Sequence, residues 1–144
     1  MFKESTDDRI SSWVEFRQGL TNSHDVLLEI WNFWKLAPYV HYNNKIDPYH
    51  QRSWPSPWEI IAANKYDDFT KALMIGWTCK LVDRYKDSKV EVRTIVDKEQ
   101  RVVYNVVFVD DLIAINYSDN GPILVKDIPE SFFIENIVEL NRPR

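Results

Sequence analysis

An α+β fold, with N-terminal helices and a central helix packed on a small antiparallel sheet, is predicted by three features of this chain. Apolar residues recur at helical spacing through the first half. They alternate or run continuously in short segments through the second, and no linker or internal repeat divides the two. With 144 residues and 44% hydrophobic side chains, the whole of 1–144 has the size and material of one domain. Its parts read as a helical section over 1–37, a long loop over 38–55, central helices over 56–83 and antiparallel strands over 90–126.

The first helix is carried by Ile10, Trp13, Phe16, Arg17 and Leu20 and ends near Gly19. Ser23 is placed to cap a second helix. Asp25 lies in its first turn, Leu27, Ile30, Trp31 and Trp34 form its apolar stripe, and Pro38 stops it. The loop that follows is rich in Tyr and His. Irregular segments of this length in a small domain bind something or wrap a surface. Ser56-Pro57-Trp58-Glu59 then places a capping serine, a proline at the first helical position and a glutamate at the third, which predicts a short helix to about Ala63 and a break at Asn64-Lys65.

A longer helix carries Tyr66, Phe69, Ala72, Leu73, Gly76 and Cys79 on one stripe. Glycine inside a helix costs about 1 kcal/mol relative to alanine, so Gly76 predicts a close neighbour. Segments 90–96, 102–109 and 112–117 read as strands, with Asp110-Asp111 as a two-residue hairpin turn and Asn120-Gly121-Pro122 as another turn. A short edge strand near 123–125 and a final segment over 132–140 are expected to close the structure.

Charge and composition exclude several classes of function. The net charge is −4 with both signs scattered, and no basic stripe tracks a phosphate backbone, so direct nucleic-acid binding is not expected. The one basic cluster, Arg142-Pro143-Arg144, reads as a solvated tail. No apolar run reaches the ~20 residues of a membrane span. The charged start, Met1 to Arg9, does not read as a signal peptide, and without one the Asn116-Tyr117-Ser118 glycosylation pattern carries no weight. The single cysteine forbids an intrachain disulfide.

The stretch from Trp54 to Tyr117 resembles the core of transglutaminase-like domains, relatives of papain-like cysteine hydrolases. The likeness lies in Trp54-Pro55-Ser56-Pro57-Trp58-Glu59, in Lys65-Tyr66-Asp67-Asp68-Phe69-Thr70-Lys71-Ala72-Leu73 and in the strand pair after them. The resemblance implies a cysteine at the head of the central helix, with a histidine and an aspartate on neighbouring strands. Here that helix is expected to begin with Tyr66-Asp67, so the nucleophile position holds Tyr or Asp. If Asp110-Asp111 is a two-residue turn, Val109 faces Leu112, Val107 faces Ala114 and Asn105 faces Asn116. The other two positions are then Asn105 and Asn116, and a shift by one puts Tyr104 in the first. Amides move no protons at neutral pH, so the cleft of Tyr66, Asp67, Asn105 and Asn116 reads as a relic without the family's activity. Cys79 lies about three turns further along the apolar stripe, where burial raises a thiol pKa and blocks access.

Other candidates resolve into ordinary roles. His41, His50 and Asp47 match no familiar metal-ligand spacing, and His24 sits on a different segment, so no metal or other cofactor is expected. Asp67-Asp68 reads as dipole complementation at a helix start and Asp110-Asp111 as turn chemistry. Six tryptophans exceed the needs of a small core, so some are expected to face a partner. Trp54, Trp58, Tyr39, Tyr42 and Tyr49, the expected partner-binding set, either line a groove for a peptide or sugar or pin the long loop to the central helix. A proline-flanked tryptophan before the central helix in a short aromatic-rich chain also resembles uncharacterised tailed-phage proteins. The expected role is therefore a non-catalytic structural or assembly protein, a bacteriophage virion component. It contacts other protein subunits, forms an oligomer, and resides in the virion or, during assembly, the host cytoplasm. The competing readings are a small hydrolase and a module that binds a ligand in the relic cleft.

Overall fold

The computed structural model describes residues 1–143; the last member of the Arg142-Pro143-Arg144 tail lies outside the described residues. Among them the chain forms four α-helices and one five-stranded antiparallel sheet, an α+β domain. The helices are α1 (Thr6–Gly19), α2 (Val26–Trp34), α3 (Pro57–Ala63) and α4 (Asp68–Leu81). The strands are β1 (Val90–Asp97), β2 (Val102–Val109), β3 (Ile113–Ser118), β4 (Gly121–Leu124) and β5 (Phe133–Glu139), in the order β4-β3-β2-β1-β5. No helix of the described residues is long and apolar enough to cross a membrane.

Local chemistry explains the helix ends. Ser56 accepts the Glu59 N–H at 3.2 Å, Pro57 opens α3, and Asn64 closes it with φ 55°, a left-handed conformation that asparagine tolerates. The expected cap of α2 moves by two residues. Asp25, not Ser23, is the N-cap and accepts the Leu28 N–H at 3.2 Å, while Ser23 accepts the Asp25 N–H and donates to Glu29. A carboxylate one residue before the helix satisfies its exposed amides better than a hydroxyl three residues away.

Helix α4 is enclosed. Every residue from Phe69 to Lys80 except the half-buried Lys71 is buried, with the sheet on one side and the other helices around the rest. Its centre is Thr78, whose hydroxyl accepts the indole N–H groups of Trp13 from α1 at 3.1 Å and Trp34 from α2 at 3.0 Å. The same hydroxyl donates to the Met74 carbonyl at 2.6 Å. Gly76 meets the close neighbour its sequence position predicts, because a Cβ there would press into the side chain of Leu140. A buried arginine ties α1 to α3: Arg9 donates to the Ile61 and Ala62 carbonyls at 3.1 and 3.0 Å, which caps the free end of α3.

The sheet is covered on both faces. Val90, Val92, Val107, Val109, Ile115 and Val138 face the helices, whereas Ile95, Val106, Phe108 and Ala114 form a second cluster on the far side. Tyr104, Tyr117 and Phe132 pack over that second cluster, with the rings of Tyr104 and Tyr117 4.8 Å apart. The strand section extends past the expected 126: β5 pairs with β1, so segment 132–140 does close the structure. The two edges are β4, which is short and carries Pro122, and β5, where Glu135 bulges opposite Thr94 and Ile95.

The hairpin between β2 and β3 corrects the expected register. Asp110 and Asp111 are both left-handed, with φ 53° and 56°, and Leu112 N–H reaches the Val109 carbonyl at 3.0 Å, so the tight turn forms, but the strands are joined by three residues, Asp110 to Leu112, where two were expected. The ladder nevertheless pairs Val109 with Ile113 and Val107 with Ile115, one residue off the expected Val109–Leu112 and Val107–Ala114. Leu112 is the extra residue and stays exposed. This register turns Ile113 and Ile115 to the helix face, where the expected one would have buried the smaller Ala114 there.

Candidate functional site

The head of α4 meets the sheet at a polar cluster whose first member is Asp68. Asp67 is the N-cap: its Oδ1 accepts the Thr70 N–H at 2.7 Å and the Thr70 hydroxyl at 2.6 Å, and its Oδ2 accepts the Asn43 N–H at 3.1 Å. Helix α4 therefore begins at Asp68, one or two residues later than the expected Tyr66-Asp67. The Asp68 carboxylate turns toward β2 and β3. Its Oδ2 accepts Asn105 Nδ2 at 3.0 Å and, at 3.4 Å, the Asn105 backbone N–H; its Oδ1 accepts Asn116 Nδ2 at 3.3 Å.

The rest of the cluster extends along the sheet. Asn116 Nδ2 also donates to the Asn105 carbonyl at 2.9 Å, and the Thr94 hydroxyl on β1 donates to Asn105 Oδ1 at 2.9 Å. Lys71, one turn along α4, places its Nζ 4.0 Å from Asp68 Oδ1 and 5.4 Å from the ring of Trp31.

Asn105 and Asn116 come together as expected, but by another route. In the observed register Asn116 belongs by alternation on the far face with Ala114. It takes φ 76° instead, which turns its side chain back toward Asp68 and leaves Tyr117 on the far face beside Tyr104. The regular β2–β3 ladder stops at Val107–Ile115. Where it stops, the Asn105 backbone N–H and carbonyl are taken by Asp68 and by the Asn116 amide. The cluster thus repairs a gap in the sheet.

The remaining candidates separate from this cluster. Tyr66 is not at the head of α4; it is buried in the core against Phe2 and Trp34, and burial holds its phenol well above the usual range. Tyr104, the alternative to Asn105, lies on the opposite face of the sheet. Cys79 is fully buried and its thiol is pushed up to about 12, as befits a small core side chain. His24, His41 and His50 are exposed, His41 Nδ1 lies 3.5 Å from the Tyr39 hydroxyl, and His50 Nδ1 lies 3.8 Å from Asp47. Among the described residues no three His, Cys, Asp or Glu side chains gather as a metal site.

The aromatic set divides. Trp54 donates its indole N–H to the Asp47 carbonyl at 2.6 Å and packs edge-on against Phe69 and Trp77, so it pins the loop. Trp58 packs edge-on against Trp13. None of the tryptophans is exposed, contrary to the expectation that some would face outward. Their indoles are used between α1, α2, α3 and α4, a layer that needs large side chains. Tyr39, Tyr42 and Tyr49, by contrast, are 69%, 74% and 61% exposed on a loop held by Ile46, Trp54 and the Asn43–Asp67 bond.

Chemically the Asp68 cluster is a carboxylate bound by amide donors. With the Lys71 ammonium 4.0 Å away, this arrangement holds the head of α4 against the sheet. Asp68 and Lys71 belong to this site although the family resemblance does not point to them. The signal that finds Asp68 is Asp67-x-x-Thr70, an N-cap pattern that fixes the next residue as the first of the helix. No family profile, curated protein or solved structure matches the chain.

Proposed function

We propose that this chain is a non-catalytic assembly domain that acts through contacts with other protein subunits and forms an oligomer, with the tailed-phage virion as its setting. The observation that carries the non-catalytic reading is the Asp68–Asn105–Asn116 cluster. Of the two carboxylates at the head of the central helix, Asp67 caps the helix and Asp68 is engaged by donors that serve the sheet, while the cysteine lies buried elsewhere and the histidines stand on exposed segments. The assembly reading is supported by three half-to-mostly exposed tyrosines on a loop that is itself anchored. Tyrosine offers a large contact area at low entropic cost, and a fixed loop loses little freedom on binding. The virion setting rests on the sequence resemblance.

Light scattering coupled to size exclusion tests the assembly reading, comparing the native chain with Tyr39→Ala, Tyr42→Ala and Tyr49→Ala combined. A higher oligomer that the triple variant dissolves is the expected result; a monomer at every concentration counts against it. Turnover of peptide, amide or glycoside substrates that Asp68→Asn abolishes, with folding intact, overturns the non-catalytic reading.

A further inference from the structure

A groove lies away from the Asp68 cluster, between the turn at Gln51–Ser53 and the C-terminal segment 141–143. Its volume is about 750 Å³ and its lining includes Arg52, Trp54, Pro57, Trp77, Asn141 and Arg142. The rings of Trp54 and Trp77 meet edge to face, 6.2 Å apart, and supply an apolar floor. Arg52 and Arg142 are exposed, and neither forms an ion pair among the described residues. No carboxylate lines the groove, although acidic residues outnumber basic ones in the chain by 22 to 18.

A third guanidinium stands nearby. Arg17 lies 4.3 Å over the Trp13 ring, and its Nε is buried without a hydrogen-bond partner. Burial first, and the like charge of Arg142 second, hold its pKa below the ordinary arginine range. Positive charge is thus gathered around an aromatic and proline-bearing channel with no acidic side chain of its own to neutralise it.

We infer that this groove binds an extended acidic peptide segment of a protein partner, with carboxylates of that segment meeting Arg52 and Arg142 and its apolar side chains lying on Trp54 and Trp77. The inference rests on the assembly reading and names one partner chemistry for it. An open channel suits a chain passing through better than an enclosed small molecule. Planar guanidiniums suit carboxylates by paired N–H donors. A single-stranded nucleic acid is the less favoured occupant, because it needs a continuous cationic track that this acidic chain lacks.

Fluorescence anisotropy tests it with a short labelled peptide built of Glu, Pro and Tyr, a counterpart with Gln in place of Glu, and labelled oligothymidylate. The acidic peptide is expected to bind, with affinity falling as salt rises. Arg52→Glu and Arg142→Glu are each expected to weaken it by about tenfold or more, as loss of a charge-assisted contact implies. Both sites are exposed, so both variants are expected to melt like the native chain, and Lys86→Ala, at an exposed cation that does not line the groove, is expected to bind as before. Equal binding of the Gln peptide, no binding of the acidic one, or tighter binding of oligothymidylate each overturns the inference. An oligomer that still depends on the tyrosines, beside a groove that takes no peptide, refutes this inference and leaves the assembly reading standing.

Discussion

Thr78 offers a test of how the helical layer is locked to the core. Its hydroxyl oxygen spends both acceptor positions on the indoles of Trp13 and Trp34 and its proton on the Met74 carbonyl, and all three side chains are fully buried. Thr78→Val keeps the shape and removes the acceptor, which leaves two buried indole N–H groups without partners. Each orphaned donor costs about 1–3 kcal/mol, so the variant is expected to lose roughly 2–6 kcal/mol. That is a large share of the ~5–15 kcal/mol that holds a domain folded. Thr78→Ser keeps the oxygen and deletes one methyl, for about 1 kcal/mol. Urea unfolding followed by tryptophan fluorescence measures both variants. At a slope of about 2 kcal/mol per molar urea, the valine midpoint is expected to fall by roughly 1–3 M and the serine midpoint by about half a molar. A valine variant as stable as the serine variant refutes the argument, because packing and not the hydroxyl would then be holding the tryptophans.

Three further outcomes follow from the geometry. Asp68→Ala strips the acceptor from Asn105 and one of two from Asn116, and is expected to cost about 1–3 kcal/mol in urea unfolding. Combined with Asn105→Ala, the loss is expected to fall short of the sum by more than ~0.5 kcal/mol, the mark of a shared contact. Gly76→Ala drives a methyl into Leu140 and is expected to cost about 1–3 kcal/mol, part of it recovered in the presence of Leu140→Ala, by thermal melting. Cys79, with its thiol pushed up to about 12, is expected to resist a thiol reagent in the native protein at mildly alkaline pH and to react at once in denaturant, as mass spectrometry reads directly.

Much of the fold is legible where a residue's local chemistry has one solution. Ser56-Pro57 opens a helix, Asn64 ends it, and Gly76 marks a close approach, all without knowledge of the rest of the molecule. Periodicity also places α1 and β1 correctly. Legibility fails where distant segments decide. Which face of β3 goes inward depends on the volume of Ile115 against Ala114 in a cavity shaped by α4, so the register slips by one. The left-handed φ at Asn116 then restores the contact that the slip would have lost, and no residue beside Asn116 announces it. The far-side cluster under Tyr104, Tyr117 and Phe132 is hidden for a related reason, since a strand covered on both faces shows no alternation. The burial of Arg9 and the exposure of the loop tyrosines are likewise settled by partners far away in sequence.

The borders of the sheet carry a consequence for any crowded state of the protein. Pro122 at one rim and the kink at Glu135 on the other deny an incoming chain the long, flat run of free amides that strand-by-strand growth would copy. At the β4 rim such growth is therefore disfavoured, whereas β5 carries half-exposed Phe133, Ile134 and Ile137 and relies on its kink for the same protection. Contact between two copies through the β4 rim would have to use side chains, with each copy keeping its own sheet intact.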